Sequence, residues 1–172
     1  MTFEIRRYRD SDDAAVRDLF VRINRELSRP DLRDAFESYV AVSLRDEIDR
    51  LADYYAERQG AFFVVHDGDK LAGVFGIERL GVPAAELRRM YVDAAYRRQG
   101  LARMMLEFAE QACREAGTRT LTLSTSELQQ AALAFYRASG YRLVSEETGA
   151  AQSNKTVGNI RRYHLEKNLA RS

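Results

Sequence analysis

Met90-Tyr91-Val92-Asp93-Ala94-Ala95-Tyr96-Arg97-Arg98-Gln99-Gly100-Leu101-Ala102 reads as a strand that runs through a short loop into a helix. The first amides of a helix have no acceptor within it, and the helix dipole adds roughly half a positive charge there. Gly100 lets the backbone approach a ligand closely, Ala102 keeps the turn uncluttered, and Arg97 and Arg98 add two full charges. A strand–loop–helix junction of this composition suits a phosphate group, and it needs no overall basic charge.

Reading towards the C-terminus, Leu101, Met105, Phe108, Ala112 and Cys113 form one stripe of a helix over 98–116, stopped by Gly117. Thr120–Thr125 alternates leucine with threonine and predicts a strand. A helix over 128–139 with Ala131, Ala132, Phe135 and Ala138 inward follows, closed by Gly140. Strands are expected at 141–145 and 160–167, joined by a polar loop over 146–159.

Reading back towards the N-terminus, strands are expected at 85–92, 71–78 and 61–66, the last two joined by the tight turn Asp67-Gly68-Asp69-Lys70. Leu44, Ile48, Leu51 and Tyr55 predict one amphipathic helix ending near Gly60. Val16, Leu19, Phe20, Ile23 and Leu27 predict another, opened by Asp10-Ser11-Asp12-Asp13 and ended at Ser28-Arg29-Pro30. Thr2–Tyr8 is the opening strand. The order predicts a single α/β domain over 1–172, a mixed sheet of about seven strands with helices on both faces.

Arg97-x-x-Gly100-x-Ala102 resembles the pyrophosphate signature of the GNAT superfamily of acyl-CoA N-acyltransferases. Leu133-Ala134-Phe135-Tyr136-Arg137-Ala138-Ser139-Gly140-Tyr141 resembles the later helix of that family, which commonly ends in Phe/Leu-Tyr-x-x-x-Gly-Phe/Tyr. The likeness follows element order through nearly the whole chain and is strongest over 86–144. It implies a GNAT-like fold, acetyl-CoA as acyl donor, and direct attack by a primary amine of a small molecule within a ternary complex.

By the same resemblance, the cofactor-binding residues are Met90, Tyr91, Val92, Arg97, Arg98, Gln99, Gly100, Leu101, Ala102, Gln129 and Tyr136. The backbone of Met90–Val92 would receive pantetheine as an added strand does. Tyr136 matches the tyrosine that protonates the departing thiolate. An amine must lose a proton before it attacks, so a base is expected. Glu86, at the start of the strand leading into the arginine loop, is the first choice and Glu78 the second. Either glutamate also reads as a strand-edge carboxylate paired with an arginine such as Arg88. Two departures from the family pattern stand out: Gln129 occupies a place often held by asparagine, and Ala94-Ala95 replaces a common proline.

Composition sets outer limits. Lys plus Arg is 27 and Asp plus Glu 26, a net charge of +1, so no strong attraction to nucleic acid or anionic lipid is expected. No apolar run approaches the roughly 20 residues that span a bilayer, and no signal peptide is read at the start, so a cytoplasmic location is expected. Cys113 is the single cysteine, and His66 and His164 are isolated in sequence; no metal is expected. A homodimer, through exposed apolar residues on the first helices, is a further expectation from the family. The alternatives are a non-catalytic acyl-CoA sensor and a protein-modifying acetyltransferase.

Overall fold

The computed structural model describes residues 2–148, 157 and 160–170. In these, the apolar run at 61–65 is continuous rather than alternating because its strand is covered on both sides. Phe62 and Val64 face one core, while Phe63 and Val65 face another. That strand, β2 (Ala61–Asp67), lies between β1 (Phe3–Arg7) and β3 (Lys70–Arg79). With β4 (Ala84–Val92), β5 (Thr120–Ser126), β6 (Arg142–Glu147) and β7 (Arg162–Asn168) they form one sheet in the order β1-β2-β3-β4-β5-β7-β6. The β4–β5 pair is parallel and every other neighbouring pair is antiparallel.

Helices α1 (Asp13–Leu27), α2 (Arg33–Asp46) and α3 (Leu51–Glu57) cover one face, burying Phe20, Ile48, Leu51 and Tyr55 against Phe62, Val64 and Val74. Helices α4 (Leu101–Glu115) and α5 (Gln130–Ala138) cover the other. The stripe Leu101, Met105, Leu106, Ala109 and Cys113 of α4 recurs at helical spacing and is fully enclosed by Phe75, Leu87, Leu121 and Leu165. The mixed sheet with helices on both faces therefore forms as the periodicity predicts.

Three local expectations are corrected. The helix expected through Leu44–Tyr55 is two helices. The chain leaves helical geometry at Glu47 (φ −138°, ψ −61°) and makes a 3-10 turn at Ile48–Arg50 before α3 begins. The cause is the Glu47 side chain, which is fully buried and held by charges from across the sheet. Next, the loop expected from 146 starts later, since β6 runs to Glu147; most of the remainder lies outside the described residues. Finally, the large apolar side chains left exposed are Leu80, Val82, Phe108 and Val144. None of them lies on α1–α3, where the expectation placed exposed apolar residues.

Candidate functional site

β4 and β5 are register partners only over Ala84–Glu86 and Thr120–Thr122; beyond Glu86 no residue of β4 pairs with β5. The divergence follows from a bulge. Between Tyr91 and Arg88, β4 carries one residue more than β3 carries between Val74 and Gly76, and Arg89 takes φ +55°. An extra residue in one strand bends it and increases its local twist. The result is a wedge-shaped gap through the sheet with Glu86 near its apex. Tyr136, Ala132, Gln129 and Leu123 line it on the α5 side, and Asn24, Tyr39, Arg88, Arg89 and Tyr91 on the α1–α2 side.

β4, one wall of the gap, runs on through Asp93–Gly100 into α4. Asp93 accepts a hydrogen bond from the Ala95 amide at 2.9 Å and sets up a 3-10 turn over Ala94–Tyr96. This cap defines the turn at Ala94-Ala95, where no proline does so. Arg98 (φ +62°) and Gly100 (φ +79°) then both adopt left-handed backbone. After Arg97, the first amide to reach a backbone carbonyl among the described residues is that of Met104, on Gly100 O at 3.1 Å. The amides of Arg98, Gln99, Gly100, Leu101, Ala102 and Arg103 thus reach no backbone carbonyl among the described residues, and a Cβ built on Gly100 would meet open space. These residues fit a pyrophosphate. Leu101 is buried in the core, so its contribution there is its backbone.

The two arginines differ. Arg97 folds back, its Nε donating to Val92 O at 3.2 Å and its Nη2 to Glu26 at 3.3 Å. Arg98 is exposed. Gly100→Ala is expected to cost about 1 kcal/mol, because a side chain is strained at positive φ even where space is free. A thermal melt checks this.

On β4, Met90 turns its side chain to the α4–α5 core and Tyr91 to the opposite one, while Val92 packs at the α4 side. Gln129 precedes α5 and accepts from the Thr125 hydroxyl at 3.3 Å and the Ser126 hydroxyl at 3.4 Å. Tyr136 lies in α5, its ring tilted against Phe135 and edge-on to Tyr141. Its hydroxyl has no hydrogen-bond partner among the described residues and lines the gap. Burial raises its pKa, so the phenol keeps its proton throughout the neutral range.

The two candidate carboxylates part company. Glu86 lines the gap, with its Oε1 3.9 Å from the Arg88 Nε. Glu78 does not line it; it accepts from the Tyr54 hydroxyl and from Arg88 Nη1, both at 3.1 Å. Glu78 therefore belongs to a buried charge network.

That network was not read from the sequence. Its centre is Glu47, which accepts from Arg88 Nη2 at 2.7 Å, Arg89 Nη2 at 2.9 Å, Arg89 Nε at 3.1 Å and the Tyr55 hydroxyl at 2.8 Å. Arg89 Nη1 also donates to the Tyr39 hydroxyl at 2.6 Å. Successive strand residues ordinarily point to opposite faces, but the bulge at Arg89 turns both guanidinium groups to the same carboxylate. Burial is the largest influence on Glu47 and would raise its pKa. The charges of Arg89 and Arg88, with hydrogen bonds from Arg89 and Tyr55, outweigh it and hold the group down at about 2. No local sign marked it: Arg45, Asp46, Glu47, Asp49 and Arg50 crowd one short stretch, and of these only Glu47 is buried.

Cys113 is enclosed in the core, and burial pushes its thiol up to about 11, which makes it a poor nucleophile at neutral pH. His66 and His164 stand apart, and no metal-holding group of histidine, cysteine or carboxylate side chains occurs among the described residues. No helix there is long and apolar enough to cross a membrane.

Residues 25–141 match the model of the acetyltransferase (GNAT) family. N-acetyltransferase 8 of Homo sapiens is 29% identical over 110 residues, covering 60% of this chain and 48% of that protein. The chain spans about half the length of the curated relatives it matches. Among solved structures, an acetyltransferase from Streptococcus agalactiae superposes with a TM-score of 0.76 at 20% identity, over 96% of this chain and 98% of that one. The PaiA N-acetyltransferase of Thermoplasma acidophilum, solved in complex with coenzyme A, gives a TM-score of 0.71 at 17% identity, over 98% and 99%.

Proposed function

Since the chain belongs to the acetyltransferase (GNAT) family, we propose that it moves an acetyl group from acetyl-CoA to the primary amine of a small molecule by direct attack in a ternary complex. The observation that carries this is the gap through the sheet. It places a cavity with a phenol on one face and a carboxylate near its apex beside the strand that runs on into the anion-ready start of α4. The structural neighbour solved with coenzyme A supports the identity of the donor.

In this reading the amides of Arg98–Arg103 and the Arg98 guanidinium hold the pyrophosphate. The open edge of β4 at Met90–Val92 pairs with the pantetheine amides, as an added strand would. Gln129 orients near the mouth of α5. Glu86 takes a proton from the acceptor ammonium and leaves a free amine. The amine nitrogen bonds to the thioester carbonyl carbon, the carbon–sulfur bond breaks, and its electron pair leaves on sulfur. Tyr136 meets that sulfur with its hydroxyl. A phenol whose pKa is raised by burial is a weaker acid than a thiol of ordinary pKa, about 8.5. Its main service is therefore a hydrogen bond to the developing thiolate, and the second proton of the attacking nitrogen passes through the Tyr136 hydroxyl to sulfur as the carbon–sulfur bond breaks, leaving a neutral amide and a free thiol. The buried Cys113 supports direct transfer over a cysteine-linked route.

Calorimetric titration of acetyl-CoA tests the donor. Arg97→Ala/Arg98→Ala is expected to weaken binding roughly tenfold, the loss of one charge-assisted phosphate contact. Most of that loss should trace to Arg98, because Arg97 is engaged by Val92 and Glu26. Free-thiol release with a panel of amines then separates an enzyme from a sensor that binds without turnover.

A further inference from the structure

Arg162 opens β7 and lines the gap on the same side as Tyr39, Arg89 and Tyr91. Its Nη2 donates to the Ser124 hydroxyl at 2.9 Å, and it forms no ion pair among the described residues. The intervening residues 149–156, 158 and 159 contain no aspartate or glutamate, so that stretch offers no carboxylate side chain either. Arg88 and Arg89 are in a different position, since both share Glu47 and Arg88 also reaches Glu78. A third guanidinium, half-buried beside two that are already neutralised, has no carboxylate partner among the described residues. Burial, together with the nearby charges of Arg89 and Arg88, pushes its pKa below the ordinary arginine value despite the opposing pull of Tyr39 and Tyr91. A buried charge without a partner is costly, and proteins seldom keep one that nothing neutralises.

The place of this charge in the cavity gives it a use. Thr122 is the register partner of Glu86, and Ser124 lies two residues further along β5, about 7 Å on at strand spacing. A ligand that presents its amine to Glu86 therefore brings its neighbouring atoms to Arg162. The guanidinium fork matches a carboxylate with two parallel hydrogen bonds. We propose that Arg162, seated on Ser124, receives the carboxylate of the acceptor, so that the amine acetylated by this protein belongs to the amino-acid class. The inference rests on the acetyltransferase reading and narrows it from any primary amine to one bearing an acid group within a few bonds of the nitrogen.

The test begins with binding, independent of turnover. Sodium propionate and inorganic phosphate are titrated, against sodium chloride at equal ionic strength, into the wild type and Arg162→Met while the melting temperature is followed. Propionate is expected to raise the wild-type melting temperature saturably and to move Arg162→Met at least fivefold less. Because phosphate also suits the start of α4, only the part of each response lost in Arg162→Met is compared, and a larger loss for phosphate than for propionate would overturn the carboxylate in favour of a phosphate-bearing amine. No specific response in the wild type, or equal responses in both proteins, overturns the proposal. Arg162→Met should itself melt no lower than the wild type, since it removes an unpaired charge; if it fails to fold, Arg162→Lys takes its place with a partial loss of response. Initial rates follow with alanine beside ethylamine and phenylalanine beside phenethylamine. At least tenfold preference for the acid-bearing member in kcat/KM should fall to within twofold in the variant, through KM. Acetyl-CoA binding to the same preparations is read separately: its absence sinks the acyltransferase reading, whatever propionate does.

Discussion

Tyr136→Phe is expected to lower kcat about 100-fold while leaving acetyl-CoA affinity and the melting temperature close to those of the wild type. The tyrosine ring packs against Phe135 and Tyr141, and phenylalanine keeps both contacts. The hydroxyl it removes has no hydrogen-bond partner among the described residues, so no internal bond is broken. A structural role for that hydroxyl would lower stability; a role at the leaving sulfur lowers only the rate. Because burial raises the phenol's pKa, the wild-type rate should show no fall from phenol ionisation between pH 7 and about pH 10. Steady-state kinetics with thiol detection, beside calorimetry and a melt, measure all three. A kcat within twofold of wild type, at every pH tried, would remove Tyr136 from the chemistry.

Glu47→Gln is expected to destabilise the fold by about 3–5 kcal/mol, the usual cost of breaking a buried pair and leaving its partner charged. Glutamine preserves the volume but not the charge that Arg88 and Arg89 share. For a domain of this size that corresponds to a melting temperature lower by roughly 10 °C. The acid limb of the stability curve reports the same group. Its folded pKa, about 2, lies below its unbound value of 4.5, so its contribution is fully present above pH 4.5 and is lost as pH falls to about 2. The linked stability is about 3 kcal/mol. Glu47→Gln should therefore flatten the decline of stability between pH 4.5 and 2. Denaturant melts at several pH values check this; an unchanged acid limb would mean that another carboxylate dominates it. The same substitution should disturb the site, since Glu47 holds the two residues at the bulge that opens β4 from β5.

The order of strands and helices, the start of α4 and the place of Tyr136 were legible in the sequence because each depends on a few consecutive residues. Of the expected stripe, Leu101, Met105 and Cys113 are buried as their spacing declares, whereas Ala112 is half-buried and Phe108 is exposed. Arg97-x-x-Gly100-x-Ala102 declares a helix N-terminus with open backbone in the same way. What depended on neighbours far along the chain was hidden. Glu47 ends α2 early because Arg88 and Arg89, 41 and 42 residues away, take hold of its carboxylate. No local pattern carries that pairing, and helical periodicity continues straight through it. The choice between Glu86 and Glu78 was open for the same reason. The two stand opposite each other in the ladder, and only the strand order decides between them: Glu86 is on β4, which borders the gap, whereas Glu78 is on β3 and is held by Tyr54 and Arg88. Periodicity and capping are properties of adjacent residues, whereas the pairing of buried charges is settled by which strands the topology sets side by side.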